Sequence, residues 1–448
     1  MNRRLAQGMI LAAWLGATAL AQTADWPQLG GPNGAGVSPE RGFARAWPTN
    51  GPKVAWSIPL GDGYAGAAVR DALVYVLDRA GEAQDVLRCL DLATGREHWQ
   101  LALDAPGKLP FHGSRNVPTV DAERVYAVGP FGQVYCVNRS THQLEWQHHL
   151  LAEFKDPQVD RAAAATNRLD ALARTQLPMW GMTQAPLIYQ DVVIVAPQTA
   201  KVGLVAYDKV TGKERWRSAY IGRNWYSHVS PYLTRLCGVE QIIMLAQPSD
   251  PEKYPPAIVS AVEPSTGRIL WQTKTPGPHK IPMAQPLRLG EDRLFITGGY
   301  RLGCALLQVS HEREQWATKV VLHNKEVAGH IHSPILYRDH VYVLSFKEHG
   351  ATNTGLVCLN LQGQVQWQTG PDLRFDNGAL LLVDDLALVM QGKTGELHLF
   401  EVNPAGFKLL ARVNLFDGGS PWAPMALSDG KLLLRNLHEL KCLELPKQ

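Results

Sequence analysis

Short apolar segments recur along the chain in a fixed order and alternate with polar turns. Each copy begins with a proline or an alanine before a short apolar stretch, and a run rich in β-branched and aromatic residues follows, such as 192–194 or 341–343. A turn of the form Asp/Asn-x-x-Thr-Gly comes next, and a tryptophan follows four residues after the glycine position. The side chain that opens such a turn accepts hydrogen bonds from the turn amides, and the glycine takes the positive φ of a bulged hairpin. The pattern therefore predicts four short antiparallel strands in each copy.

The pattern occurs eight times, and the incomplete copies at the two ends of the chain complement each other. The proline or alanine that opens each copy is Ala67, Pro118, Pro186, Pro231, Pro286, Pro334, Ala379 or Pro424. The last copy, 422–445, has room for three strands, whereas the segment 54–60 carries a tryptophan strand with no copy before it. A lone four-stranded sheet cannot bury both faces, and radial packing of such sheets into a ring solves this problem. The sequence predicts an all-β, eight-bladed β-propeller of four-stranded blades, closed by pairing of the N-terminal strand with the C-terminal blade.

The tryptophans of the pattern are expected to be structural docking residues, one in most blades. They are Trp56, Trp99, Trp146, Trp216, Trp271, Trp316 and Trp367. One strand position carries a small residue in six copies: Cys89, Cys136, Ala206, Ala261, Cys358 and Cys442. Because equivalent positions of neighbouring blades are too far apart for a disulfide, we expect these cysteines to be small buried residues.

Two segments depart from the repeat. Residues 1–21 have the features of a secretory signal peptide: Arg3 and Arg4, an apolar stretch, and the cleavage pattern Ala19-Leu20-Ala21. The protein is therefore expected in the periplasm or another extracytoplasmic compartment, with residues 22–448 as one propeller domain. Residues 157–176, rich in alanine, leucine and arginine, predict a helical insertion between the second and third blades.

Composition and charge narrow the range of partners. Hydrophobic residues make up 45% and charged residues 19% of the chain, which excludes a disordered protein, a collagen and a coiled coil. The net charge of +3 includes Arg3 and Arg4 of the leader, and no basic block occurs elsewhere, so no nucleic-acid partner is expected. No segment reaches 18 consecutive apolar residues, so no transmembrane segment is expected. We expect a soluble monomer.

The repeat Ala/Cys-x-Asp-x-x-Thr-Gly-x-x-x-Trp resembles that of the PQQ-like (pyrroloquinoline quinone) propeller superfamily, and the opening segment 25–38 is similar to the start of many exported members. The resemblance covers about residues 25–445 and implies the propeller fold. The superfamily includes quinoprotein dehydrogenases, in which PQQ and calcium lie over the channel. It also includes the non-enzymatic propeller subunit of the outer-membrane β-barrel assembly machinery.

The dehydrogenase features implied by this resemblance are largely missing. The sequence has neither the adjacent cysteines of the quinoprotein alcohol dehydrogenases nor a haem-attachment Cys-x-x-Cys-His motif. Calcium and a general base both call for carboxylates, and Asp376 is the clearest carboxylate in the segments expected at the channel mouth. The chain is therefore expected to be closer to the non-enzymatic exported members, without a cofactor.

The segments before the innermost strands should line one mouth of the channel, and they are rich in polar and aromatic residues. Such convergent groups around a concavity suit a ligand site. The candidate ligand-binding residues are His112, Arg115, Asn116, Trp180, Gln184, Tyr226, His228, Gln285, His330, His332, Asp376, Asn377 and Trp422.

Several of these candidates have alternative roles. Arg115 either receives an anionic group or pairs with Asp376 across the channel. His330 and His332 alternate along an expected strand and therefore point the same way, which suits either a transition metal or a hydrogen-bonded channel lining; we expect the lining and no metal.

The tryptophans Trp180, Trp225 and Trp422 either cap the core or offer stacking platforms. The function expected from the sequence is non-catalytic: a binding or scaffold protein for a protein or small-molecule partner, with no catalytic residues. The alternatives are a PQQ-dependent oxidoreductase with a divergent cofactor site and a carbohydrate-binding module.

Overall fold

Each copy of the sequence pattern folds into four short antiparallel strands that follow one another in chain order. The computed structural model describes residues 24–154, 177–178, 180–223, 227–248, 255–300, 302–346 and 355–448. These residues form eight blades around a central channel, together with one short helix, α1 (Leu150–Glu153). The predicted eight-bladed, all-β propeller is confirmed. The predicted signal peptide (1–21) and helical insertion (157–176) lie outside the described residues.

The first four blades follow two N-terminal strands, β1 (Val37–Ser38) and β2 (Lys53–Pro59). Blade 1 comprises β3 (Ala68–Arg70), β4 (Leu73–Ala80), β5 (Gln84–Asp91) and β6 (Glu97–Asp104). Blade 2 comprises β7 (Thr119–Val120), β8 (Arg124–Val128), β9 (Gln133–Asn138) and β10 (Leu144–His149). Blade 3 comprises β11 (Leu187–Tyr189), β12 (Val192–Val195), β13 (Val205–Asp208) and β14 (Glu214–Arg217). Blade 4 comprises β15 (Tyr232–Leu236), β16 (Val239–Ala246), β17 (Pro256–Val262) and β18 (Ile269–Pro278).

The remaining blades repeat this arrangement. Blade 5 comprises β19 (Leu287–Leu289), β20 (Arg293–Gly298), β21 (Gly303–Glu312) and β22 (Gln315–Asn324). Blade 6 comprises β23 (Ile335–Tyr337), β24 (His340–Ser345), β25 (Gly355–Asn360) and β26 (Val365–Gln368). Blade 7 comprises β27 (Leu380–Val383), β28 (Leu386–Met390), β29 (Glu396–Asn403) and β30 (Gly406–Asn414). Blade 8 comprises β31 (Ala426–Ser428), β32 (Lys431–Arg435), β33 (Glu439–Glu444) and the N-terminal strand β2.

The ring closes by pairing its two ends, as predicted. Strand β2 runs antiparallel to β33, with Lys53 opposite Glu444 and Pro59 opposite Glu439. Blade 8 therefore takes three strands from the C-terminal end and its outermost strand from the N-terminal part of the chain. Closure removes the open faces that two terminal blades would otherwise expose to water.

The hydrophobic core lies between neighbouring blades. In one of its clusters Tyr75 and Leu77 of blade 1 pack with Val125 and Ala127 of blade 2, and all four side chains are buried. Each blade thus buries apolar residues on both of its faces, which is the main source of stability in such a ring.

The small residues of the repeat lie directly opposite the tryptophans on the neighbouring strand. In blades 1, 2, 6 and 8 a cysteine is paired with a tryptophan, as in Cys89 with Trp99 and Cys442 with Trp56. In blades 3 and 4 the partner is Ala206 or Ala261. A small side chain leaves room for the indole across the ladder. All six cysteines of the chain belong to the described residues and carry free thiols.

In three blades the tryptophan packs on the turn glycine of the next blade. A Cβ added at Gly95, Gly212 or Gly267 would lie 2.6, 2.7 or 2.4 Å from an atom of Trp56, Trp146 or Trp216, respectively. Trp316 departs from the expected docking role. The long hairpin of blade 5 turns at 313–314, so Trp316 lies beside its tip, opposite His311. Leu322 takes the contact with the next turn glycine, Gly363.

The segment before β2 crosses the channel, a feature that the repeat pattern does not predict. Trp26 forms two backbone hydrogen bonds with Val69 of blade 1, and the Pro27 carbonyl accepts one from Val120 of blade 2. Farther along, β1 pairs in parallel with β27 of blade 7. The segment therefore spans from one side of the ring to the other. Within the described residues no helix is long and apolar enough to cross a membrane.

Replacement of Gly212 by alanine tests the contact between blades. Gly212 and Gly238 have φ angles of 70° and 77°, so alanine at either position carries a left-handed backbone cost of about 1–2 kcal/mol. Only at Gly212 would the new Cβ meet the indole of Trp146, whereas Gly238 has no neighbour within 4 Å. We expect Gly212→Ala to lower the free energy of unfolding by about 1–3 kcal/mol more than the control Gly238→Ala, because of overpacking. Urea denaturation measures both losses, and equal losses would contradict the docking contact.

Candidate functional site

A cavity of about 260 Å³ opens at the end of the channel where the chain enters each innermost strand. All eight blades contribute to its wall, mostly through the residues just before their first strands. The lining residues are Tyr64, Phe111, Arg115, Val117, Trp180, Thr183, Ala185, His228, Ser230, Met283, Gln285, Tyr300, His330, Ile331, His332, Ser333, Asn377, Trp422 and Pro424, with Leu29 of the N-terminal segment. Leu29 lies between the crossing segment's contacts with blades 1, 2 and 7, so this segment forms part of the cavity wall.

Eight of the thirteen residues proposed from the sequence line this cavity. They are Arg115, Trp180, His228, Gln285, His330, His332, Asn377 and Trp422. Their common position before an innermost strand explains this agreement, because every such segment leads into the channel. Tyr226 and Trp225 lie outside the described residues.

Four proposed residues have hydrogen bonds elsewhere instead. His112 Nε2 donates to the Gly81 carbonyl, and Asp376 Oδ2 accepts from Gln391 Nε2. The amide of Asn116 donates to the carbonyls of Val128 and Met182, and that of Gln184 donates to Gln198 Oε1 and the Ser227 carbonyl. These bonds hold loops together, and none of the four side chains lines the cavity.

Among the described residues that line the cavity, Arg115 is the only charged one apart from histidines. Its Nη2 donates to the carbonyls of Pro110 and Phe111. No carboxylate of the described chain forms an ion pair with it, and Asp376, the partner considered from the sequence, is bonded to Gln391. Burial disfavours the charged form and lowers the pKa of Arg115 to about 10, which leaves it cationic at neutral pH.

Two of the cavity histidines are held in the neutral state. His228 Nδ1 is 2.8 Å from Thr183 Oγ1, and burial, with a further contribution from the positive charge of Arg115, lowers the pKa of His228 to about 3. His332 Nε2 donates to the Trp422 carbonyl at 3.1 Å, and burial lowers its pKa to about 4. Both side chains therefore act as neutral hydrogen-bonding groups near pH 7.

His330 and His332 lie in the segment before β23, not on the strand that the sequence suggested. Both still line the cavity, and His330 Nδ1 donates to Asn377 Oδ1 at 2.9 Å. Among the residues that the structure describes, no group of three or more His, Cys, Asp or Glu side chains is arranged to hold a metal ion.

Aromatic side chains form one wall of the cavity. Tyr64 stacks on Trp422 with ring centroids 5.3 Å apart, and Phe111 lies 6.1 Å from the same indole. Trp422 Nε1 donates to the Gly392 carbonyl at 2.7 Å, which fixes the orientation of the indole. Trp180, which precedes β11 of blade 3, packs against His228 with ring centroids 5.4 Å apart.

Sequence reasoning missed several lining residues. Tyr64 stands just before Ala67, so the repeat offered a signal for it that was not used. Tyr300 lies between the second and third strands of blade 5, and Leu29 belongs to the non-repeating segment. No pattern in the sequence distinguishes these two from ordinary loop residues.

The eight-bladed fold and the family match identify a PQQ-like propeller. Residues 40–172, 82–369 and 255–412 match a family model described as outer membrane protein assembly factor BamB, and the chain belongs to this family. No curated protein matches it in sequence.

Solved structures share the fold at low sequence identity. A europium-containing methanol dehydrogenase is 13% identical, with a TM-score of 0.63 over 92% of this chain and 89% of the other. The quinohemoprotein alcohol dehydrogenase of Comamonas testosteroni is 12% identical, with a TM-score of 0.63 over 96% and 82%. BamB of Moraxella catarrhalis is 13% identical, with a TM-score of 0.56 over 87% and 97%. These similar structures include both enzymes and an assembly factor. They therefore establish the fold of this chain but do not identify its activity.

The lining residues do not fit a calcium-bound quinone. Calcium takes six to eight oxygen ligands, typically including carboxylates. The lining residues that the structure describes include no Asp or Glu, and the amide oxygen of Asn377 already accepts from His330.

The two neutral histidines predict a pH dependence of stability. Their pKa values are lower in the folded protein than the ordinary value of 6.5, so the unfolded chain binds more protons below that pH. The free energy of unfolding should therefore fall as the pH drops below 6.5, by close to 1 kcal/mol per pH unit for each histidine between pH 5 and 6. We expect His228→Gln and His332→Gln each to reduce this slope in urea denaturation series. An unchanged slope in both variants would show that these histidines are protonated in the folded protein.

Proposed function

We propose that this protein is a non-catalytic, ligand-binding propeller whose central cavity holds a small molecule. The observation that supports this most directly is the composition of the cavity wall. As far as the structure describes it, the wall combines aromatic side chains, one cation and neutral hydrogen-bonding groups, and all eight blades contribute to it. Concave sites with a mainly apolar lining and a few placed polar groups are typical of small-molecule binding.

Binding is favoured over oxidation by the types of residue that line the cavity. Removal of a proton from an alcohol requires a base that is close to the substrate and has a suitable pKa. The described part of the lining includes no carboxylate, and the pKa values of His228 and His332 lie far below neutral pH, which makes both weak bases. We therefore propose that PQQ-dependent oxidation is not the function of this chain.

The sequence supports an extracytoplasmic setting for the proposed function. The leader-like residues 1–21 support export to an extracytoplasmic compartment, and the charge distribution supports neither nucleic-acid binding nor binding to an anionic membrane surface. We propose that the protein acts there as a monomer.

A second candidate is a scaffold for a protein partner, as the name of the matched family suggests. The specific observation in its favour concerns the outer strands of blades 5 to 8, each of which carries an exposed large apolar residue. These residues are Val320, Val321, Val365, Leu409 and Val54. Outer strands also leave backbone groups open for strand addition by a partner.

A cavity-filling variant tests the small-molecule function. Ala185 lines the cavity, so Ala185→Phe should occupy ligand space, and Ala93→Phe on the exposed turn of blade 1 is the matched control. Thermal melts would be recorded with aromatic acids, aromatic alcohols, sugars, and PQQ with and without calcium. We expect at least one class to raise the melting temperature of the wild type and of Ala93→Phe but not of Ala185→Phe. A ligand at one hundred times its Kd stabilises the folded state by about 2.7 kcal/mol.

Two results would contradict the proposal. One is a wild-type melting temperature that no compound class changes, since this would leave the cavity without a ligand. The other is calcium-dependent dye reduction with PQQ and an alcohol, because turnover would make the protein an enzyme. Far-UV circular dichroism of Ala185→Phe checks that the variant keeps its fold.

A further inference from the structure

The cavity contains a positive charge that the described chain does not neutralise. Both hydrogen bonds of the Arg115 guanidinium come from Nη2 and go to neutral carbonyls, while Nε is buried without a partner. No described carboxylate pairs with this guanidinium, and none lines the cavity. Because a charge removed from water is costly unless it is paired, an anion bound in the cavity would relieve this cost.

A second polar group points to a ligand at the same place. His228 is only 6% exposed, and its Nε2 has no hydrogen-bond partner among the described residues although it lines the cavity. Its Nδ1 is engaged by the hydroxyl of Thr183. When that hydroxyl donates to Nδ1, the proton of the neutral imidazole resides on Nε2, which can then donate to a ligand oxygen. Both groups line the same cavity, and the positive charge of Arg115 contributes to the lowered pKa of His228.

The aromatic wall adjoins the cation directly. The guanidinium carbon of Arg115 is 5.4 Å from the ring centroid of Tyr64, and Tyr64 stacks on Trp422 at 5.3 Å. Phe111 completes this group beside the indole. Since Tyr64 touches both features, an anionic group bound at Arg115 would lie within a few bonds of any ring that packs on the aromatic wall.

We propose that the cavity recognises an aromatic monocarboxylate, with the carboxylate on Arg115 and His228 and the ring against Tyr64, Phe111 and Trp422. This proposal rests on the small-molecule function proposed above and names its ligand class. A single carboxylate matches the single cation among the described lining residues, whereas a phosphate monoester would bring a second negative charge that this cation alone would not pair. Arg115 and His228 act here as binding residues and carry out no chemistry.

Isothermal titration calorimetry with matched pairs of an acid and its amide tests the proposed ligand class. The pairs are benzoate and benzamide, indole-3-acetate and indole-3-acetamide, and 2-naphthoate and 2-naphthamide, which differ in charge but hardly in shape. For at least one pair we expect the wild type to bind the acid about tenfold more tightly or better, as a charge-assisted hydrogen bond requires. Arg115→Met should abolish this preference and leave the affinity for the amide nearly unchanged. His228→Gln should weaken binding of the acid to a smaller extent.

Arg96→Met is the matched control, because it removes the same charge from an exposed turn outside the cavity. It should keep the preference for the acid, whereas loss of preference in this variant would indicate long-range electrostatics and overturn the role of Arg115. Equal binding of acid and amide by the wild type would overturn the anion proposal and leave the small-molecule function intact. The same holds if none of the six probes binds while a sugar or a neutral alcohol stabilises the wild type but not Ala185→Phe. If no compound of either experiment binds, both proposals fail.

Discussion

A four-stranded blade with apolar residues on both faces is stable only when another blade covers each face, and the rest of this structure depends on that constraint. It forces the eight blades into a ring and requires the two ends of the chain to share blade 8, where Trp56 of β2 lies opposite Cys442 of β33. The same constraint explains the recurring tryptophan, which pairs with a small residue in its own blade and packs on a turn glycine of the next. The same tryptophan side chain thus makes contacts within its own blade and with the next blade.

The cavity is a consequence of this ring, since no single blade contains it. Each blade contributes a few residues, most of which precede its innermost strand, and most of these residues lie outside the hydrophobic clusters between the blades. They can therefore be polar or aromatic without loss of core, which is how residues of separate blades, such as Tyr64 and Arg115, come together around the cavity. The repeated residues determine the fold, and the residues that differ between the copies determine what the cavity can bind.

The fold could be predicted from sequence because its determinants are periodic. Proline or alanine directly precedes the innermost strand in seven blades. Proline is tolerated there because this strand lies at the edge of its sheet, where a missing amide donor costs little. The turn glycines recur because their positions require a positive φ. The location of the site followed from the same periodicity, but the direction of individual side chains did not. Asn116 and Gln184 occupy lining segments yet bond to backbone carbonyls inside the wall, because hydrogen-bond geometry is set by tertiary contacts. Leu29 and Tyr300 lie outside the repeat frame, so no period could indicate them.

The segment that crosses the channel has a consequence for the order of folding. It is anchored to blades 1, 2 and 7 and leads into β2. Strand β2 can pair only with β33, which lies almost four hundred residues farther along the chain. Contacts between such distant parts of a chain form late, because the entropy of closing a long loop must be overcome first. The cavity wall is therefore complete only when the two ends of the chain have met. Occupancy of the cavity would distinguish a closed ring from a chain with any blade still unfolded.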